Sequence, residues 1–149
     1  MSFSASIDGR KLLDKKIDKI LINAETAMIK AVRDSVFAIH ENAVKLIQAN
    51  SSGTRMFRYS PKRKVKVSAP GKAPNTDTGR LVQSIKFDFS DSGLKGEVGT
   101  NLKYGKALEF GTKKMEARPW LSTAVNKSKK EIPKEFRKEL LASIKKAVK

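Results

Sequence analysis

Apolar residues recur at a three-to-four spacing through Leu13, Ile17, Ile20/Leu21, Ala24, Met28, Ala31/Val32, Val36, Ile39, Ala43 and Leu46/Ile47. Lys15, Lys19, Asp34 and Lys45 fall off that face, and no proline or glycine interrupts residues 11–49. The pattern predicts one long amphipathic helix, or two with a break near Asn23. The spacing wanders and charged pairs do not flank the seam regularly, which argues against a coiled coil. The period then changes to two. Phe57 and Tyr59 alternate, Ser60-Pro61 turns, and Val65 and Val67 alternate again, so a two-stranded arm is expected, followed by a flexible connector over Ala69–Pro74. Thr78–Leu81 opens a short helical turn. Ser84–Phe89 reads as a strand with Ile85, Phe87 and Phe89 inward, Asp91–Gly93 as a turn, and Leu94–Gly99 as the returning strand.

Further on, Tyr104, Ala107 and Leu108 share a helical face, and Gly111 stands where a left-handed helix stop is wanted. Pro119 suits the first turn of the next helix, whose buried face is Trp120, Leu121, Ala124 and Val125. Pro133 kinks or restarts that helix, and Phe136, Leu140, Ile144 and Val148 carry a stripe to the end. At the other terminus Phe3–Ile7 alternates weakly, as a candidate extra edge strand, and Asp8-Gly9 marks a turn or helix cap. The expected fold class is α+β. It combines a long N-terminal amphipathic helix, a small antiparallel sheet built on the hairpin 84–90/94–99, C-terminal helices and a protruding basic arm.

A length of 149 residues suits a single domain, 1–149, with 51–77 as an extended basic arm and 131–149 as a basic helical tail. The formal charge of +17 is unevenly placed: residues 1–50 are net +2, 51–76 net +7 with no acid at all, 77–112 neutral, and 113–149 net +8. A neutral centre is thus flanked by two cationic segments, which points to a polyanionic neighbour or to neutralising partner surfaces. The arm's candidates for such contacts are Arg55, Arg58, Lys62, Arg63, Lys64 and Lys66. There is no cysteine, so disulfides and thiolate metal sites are excluded. No run approaches the 18 apolar residues of a membrane span, and MSFSASIDGR has no apolar core, so neither a span nor a signal peptide is expected.

Catalytic and cofactor motifs fail on spacing. Pro70-Gly71-Lys72 lacks the upstream glycine and the following Ser/Thr of a phosphate loop, and glycines 93, 96 and 99 do not match a dinucleotide fingerprint. Asp77, Asp88, Glu97 and Glu109 form no carboxylate set, and His40, the sole histidine, has no partner set. No enzyme, cofactor or metal is expected. Glu109 stands at a helix C-terminus, where the dipole disfavours a carboxylate by about 0.3–1 kcal/mol. Arg118, held extended by Pro119, is its expected partner, within the subunit or across a subunit boundary.

The ordered set Thr78-Gly-Arg-Leu81, Ser84-Ile85, Val98-Gly99, Tyr104, Glu109-Phe110-Gly111-Thr112, Met115 and Ala117-Arg118-Pro119-Trp120-Leu121 resembles the tail-completion or head–tail joining proteins of long-tailed bacteriophages. The resemblance covers about residues 78–130. It implies a structural, non-enzymatic neck protein that forms a ring, typically a hexamer, where the tail meets the head connector, with DNA passing through the lumen. Its implied partners are further copies, adjoining neck or connector proteins, tail-tube or terminator proteins, and double-stranded DNA without sequence preference. It implies no membrane. The implied location is the virion, with assembly in the host cytoplasm. Tyr104, Glu109, Phe110, Gly111, Thr112, Met115, Arg118, Pro119 and Trp120 would serve folding and ring contacts. Composition alone would also suit a free, non-specific nucleic-acid-binding protein.

Overall fold

The computed structural model describes residues 9–50, 52–59 and 61–148, with side chains through Ala147. The candidate strand Phe3–Ile7 and Asp8 lie outside the described residues, as does Ser60 of the arm's turn. The chain runs α1 (Gly9–Gln48), β1 (Thr54–Tyr59), β2 (Lys62–Val67), α2 (Arg80–Ser84), β3 (Ile85–Phe89), β4 (Gly96–Thr100), α3 (Lys103–Phe110), α4 (Leu121–Ser128) and α5 (Ile132–Val148). The class is α+β. The small sheet is in fact two separate antiparallel hairpins, β1–β2 and β3–β4.

Helix α1 runs 40 residues without a break at Asn23, about 60 Å at 1.5 Å per residue. It stops where Asn50 takes a positive φ of 45°, a conformation asparagine tolerates better than most residues. The segment after the arm is stitched onto that end. The Thr76 N–H donates to the Ile47 carbonyl (3.2 Å) and to Asn50 Oδ1 (3.0 Å), and Asn75 Nδ2 donates to the carbonyls of Ser52 and Lys66. The expected flexible connector is therefore anchored at its end, because Asn75 and Thr76 complete backbone groups that the helix end and the hairpin leave open.

The core lies against the C-terminal half of α1. Ala43, Ile47, Leu81, Ile85, Trp120 and Ala124 form one buried cluster. Ala43 and Ala124 are fully buried, and their small size lets α4 approach α1 closely. Ser128, also buried, is satisfied there by Asn42 Nδ2 at 2.8 Å. Farther up α1, Ala27 and Ala31 face α5, and Lys30 meets Glu139 at 2.9 Å. Pro133 is the second residue of α5, where its missing N–H is harmless. Pro119 sits one residue before the N-cap Trp120, just ahead of the predicted first turn.

The β3–β4 hairpin lies on α1 through an aromatic cluster. Phe87 meets Phe37 edge-on at 5.0 Å and His40 at 5.5 Å, and Phe89 lies 6.1 Å from Phe37. Ile85 is buried as predicted, but Phe87 stays exposed and Phe89 half-buried, because they overhang the helix at its edge. His40 packs there against the Phe87 ring. Gly96 allows the close approach: a Cβ would collide with Val36 of α1.

The α1 seam outruns its cover. Leu13, Ile17, Ile20, Ala24, Ala27 and Ala31 follow an alternating four–three spacing along one face. The last two are buried, Ile20 and Ala24 are half-buried, and Leu13 and Ile17 are 58% and 44% exposed. Every residue from Gly9 to Lys19 is exposed. Gly96→Ala should lower stability by about 1–3 kcal/mol through overpacking against Val36; urea denaturation of the variant against the parent chain measures it.

Candidate functional site

Two regions hold the residues singled out by sequence: the joint between α3 and α4, and the β1–β2 hairpin. The joint explains Glu109. Its side chain leaves the last turn of α3 and reaches the N-terminus of α4. There Oε2 accepts the N–H groups of Trp120 (2.8 Å) and Leu121 (2.9 Å), and Oε1 accepts that of Ser122 (2.9 Å). The α4 N-cap, Trp120, has no side-chain oxygen to offer, so a carboxylate eleven residues upstream does the capping. The dipole of α3 disfavours the charge and that of α4 favours it. Burial pushes the Glu109 carboxyl up, but hydrogen bonds from Ser122, Trp120 and Leu121 outweigh it and hold the group below the usual carboxylate range.

The expected Glu109–Arg118 pair is thus replaced within the subunit. Both carboxylate oxygens are engaged by peptide N–H groups. The Arg118 N–H instead caps α3 by donating to the Leu108 carbonyl at 2.7 Å. Its guanidinium has only a weak contact from Nη1 to Met115 Sδ at 3.5 Å, and its Nε is buried without a partner. Gly111 starts the reversal with φ 76° and ψ −178°, a positive φ with extended ψ rather than the predicted left-handed helix stop. A Cβ there would press on Met115 O and Ala117 N. Thr112 and Met115 bond each other's backbone across the turn. Pro119 is half-buried and leads into Trp120, which is 1% exposed; its indole N–H donates to the Gly105 carbonyl at 3.3 Å. Tyr104 and Phe110 remain exposed, Phe110 at 75%.

The hairpin sorts the arm's six cations onto two faces. The register pairs Arg55 with Lys66, Phe57 with Lys64 and Tyr59 with Lys62 on one face, and Thr54 with Val67, Met56 with Val65 and Arg58 with Arg63 on the other. The second face turns inward, since Val65 is buried. Asp77, just past the acid-free segment, pairs with both of its arginines and offsets one of their two charges: Arg63 Nε and Nη2 each lie 2.8 Å from Oδ1, and Arg58 Nε lies 3.3 Å from Oδ2. The Arg63 hydrogen bond holds the Asp77 carboxyl below its ordinary range against a burial penalty, with the charges of Arg63 and Arg58 adding to the effect.

The outer face has no such relief. Lys66 Nζ reaches only the Asn50 carbonyl, at 2.9 Å. Arg55, Lys62 and Lys64 have no acidic partner among the described residues. Between them Phe57 and Tyr59 pack edge-on at 5.0 Å, with Tyr59 80% exposed. Facing like charges on paired strands repel, so a polyanion laid on this face would relieve a repulsion already present. Sequence reasoning did not divide the arm this way, because the division follows from strand register and from Asp77, the arm's last residue.

Among the described residues no three His, Cys, Asp or Glu side chains converge to hold a metal ion, and no helix is long and apolar enough to cross a membrane. Glu109→Gln should cost about 1–2 kcal/mol at neutral pH, the worth of a helix cap plus its charge. Because the folded carboxyl titrates below the unfolded one, the stabilisation is complete above the unfolded value and is lost as pH falls through the folded one. Urea midpoints of variant and parent should therefore converge on acidification.

The family model described as "Bacteriophage HK97-gp10, putative tail-component" matches residues 11–111, which takes in α1, both hairpins and α3. No curated protein and no solved structure matches the chain significantly. By that match over two thirds of its length, the chain belongs to the HK97-gp10-like family of bacteriophage tail components.

Proposed function

We propose that this tail component is a ring-forming, non-enzymatic subunit at the head–tail joint, with DNA passing through the ring. The coarser role follows from the family: a structural protein of the virion whose neighbours are other virion proteins. The ring rests on one observation above all. The α1 seam continues past its intramolecular cover, leaving Leu13 and Ile17, with Leu12 and Leu21 beside them, exposed on a projecting helix. A helix that projects with its apolar stripe uncovered is expected to be covered by a neighbour, and copies of one chain that repeat a head-to-tail contact form a ring when its rotation closes. A hexamer is the ring the family resemblance implies. Tyr104, Phe110 and Thr112, exposed members of the α3–α4 joint, are further contact residues in this reading. The outer hairpin face then supplies the cationic surface of the lumen.

The exposed Phe57 and Tyr59 on that face favour a second reading, a free nucleic-acid-binding protein that stacks bases on its rings. The two readings separate by mass and by substitution. Leu13→Glu with Ile17→Glu should convert an oligomer to a folded monomer in light-scattering chromatography, with the helical circular dichroism retained, since both side chains are exposed in the subunit. A parent chain that is monomeric at high concentration, or an oligomer unchanged by the double substitution, would count against the ring. For the hairpin, Arg55→Gln, Lys62→Gln and Lys64→Gln together should reduce the log–log salt slope of duplex DNA binding by about 2–3, at about 0.9 for each phosphate no longer neutralised.

A further inference from the structure

Behind the hairpin, on the face turned away from the proposed DNA surface, lies a cavity of about 430 Å³. Four arginines line it, Arg58, Arg63, Arg80 and Arg118, together with Tyr104 and a single carboxylate, Asp77. Asp77 is already engaged by Arg58 and Arg63. Arg80 has no hydrogen bond or ion pair among the described residues, and Arg118 has only its contact with Met115, while its Nε–H is buried without an acceptor. Glu109, in the same joint, cannot serve, because three peptide N–H groups hold it at the α4 N-terminus. Arg80 and Arg118 therefore line a common cavity without a carboxylate partner among the described residues. A buried donor without an acceptor is a free-energy cost that an incoming oxygen anion would remove.

We propose that this cavity is a docking site for an acidic segment of a partner protein, which inserts a glutamate or aspartate carboxylate between Arg80 and Arg118. Size and lining favour a side chain over duplex DNA. The cavity holds a few side-chain volumes, its lining includes Leu81 and Leu108, and a duplex is too wide to bring its phosphates to the buried Nε of Arg118. The planar guanidinium fork suits a carboxylate, and the apolar floor suits the stem that carries it. Strand alternation puts Arg58, Arg63, Val65 and Val67 of the cavity lining on the face opposite the outer cations, Lys66 being the exception, so the site can be filled while DNA lies on the other side. The site stands whether or not the ring reading holds.

The test uses the full chain and a fluorescently labelled hexaglutamate peptide, with affinity read by anisotropy at physiological salt. Arg80→Gln with Arg118→Gln should weaken binding at least tenfold. Lys62→Gln with Lys64→Gln, which removes the same charge from the outer face, should change it less than twofold. Equal weakening by the two pairs would overturn the site, since net charge alone would then explain binding, and so would no binding by the parent chain. Displacement of the peptide from the parent chain by millimolar inorganic phosphate or by a short DNA duplex would overturn the assignment to an acidic protein segment. If the Arg118 variant does not fold, exposed Arg80→Gln against Lys64→Gln carries the same comparison, with at least threefold weakening expected for the first alone.

Discussion

The grip of the Glu109 carboxylate on the first peptide N–H groups of α4 is the constraint on which the rest of the structure depends. It joins two short helices, neither of which has a side-chain cap of its own. Helices of eight residues are not stable by themselves in water, so α3 and α4 persist because each completes the other. Leu108 receives the Arg118 N–H, and α4 receives the Glu109 carboxylate. The same joint delivers Trp120 into the cluster around Ile47 and Leu81 and so fixes α4 against α1. It also explains why Arg118 is left without a carboxylate. The acid that sequence proximity would assign to it is occupied by backbone.

This arrangement separates holding the subunit together from touching its neighbours. The densest motif of the sequence, Glu109–Thr112 and Ala117–Leu121, is buried at Trp120, exposed at Phe110 and Thr112, and half-buried elsewhere. The surfaces open to partners lie mostly outside it: the uncovered turns of α1, the outer face of the β1–β2 hairpin, and the cavity behind it, to which the motif contributes Arg118. For a family of tail components this is a physically sensible division. A subunit that meets several different neighbours gains from a rigid internal joint and from contact surfaces pointing in different directions.

Much of the fold was legible in the sequence. The 40-residue helix follows from the absence of proline and glycine and from an apolar three-to-four period, and both hairpins follow from alternation broken by turn residues. What stayed hidden shares one physical character: it depends on groups that sequence does not distinguish. The partners of Glu109 are peptide N–H groups, which nearly every residue carries, so a charged side chain such as Arg118 looked the better match. The split of the arm's cations into paired and bare sets depends on strand register and on Asp77, one position beyond the acid-free run. The exposure of Leu13 and Ile17 depends on where α5 ends along α1, which no local pattern in either helix reveals. Gly111 is a turning point, as its place after the α3 stripe implies, but its extended ψ comes from the reversal that brings Arg118 back to Leu108.

The most direct test of the account is a cryo-EM reconstruction of the assembled particle at the head–tail joint, at a resolution that traces side chains. The account predicts copies of this chain in a closed ring, with Leu13 and Ile17 of each α1 covered by a neighbouring copy and the Phe57–Tyr59 face of each hairpin turned toward the DNA. A particle in which the first turns of α1 remain bare, or in which the hairpins point away from the lumen, would contradict it.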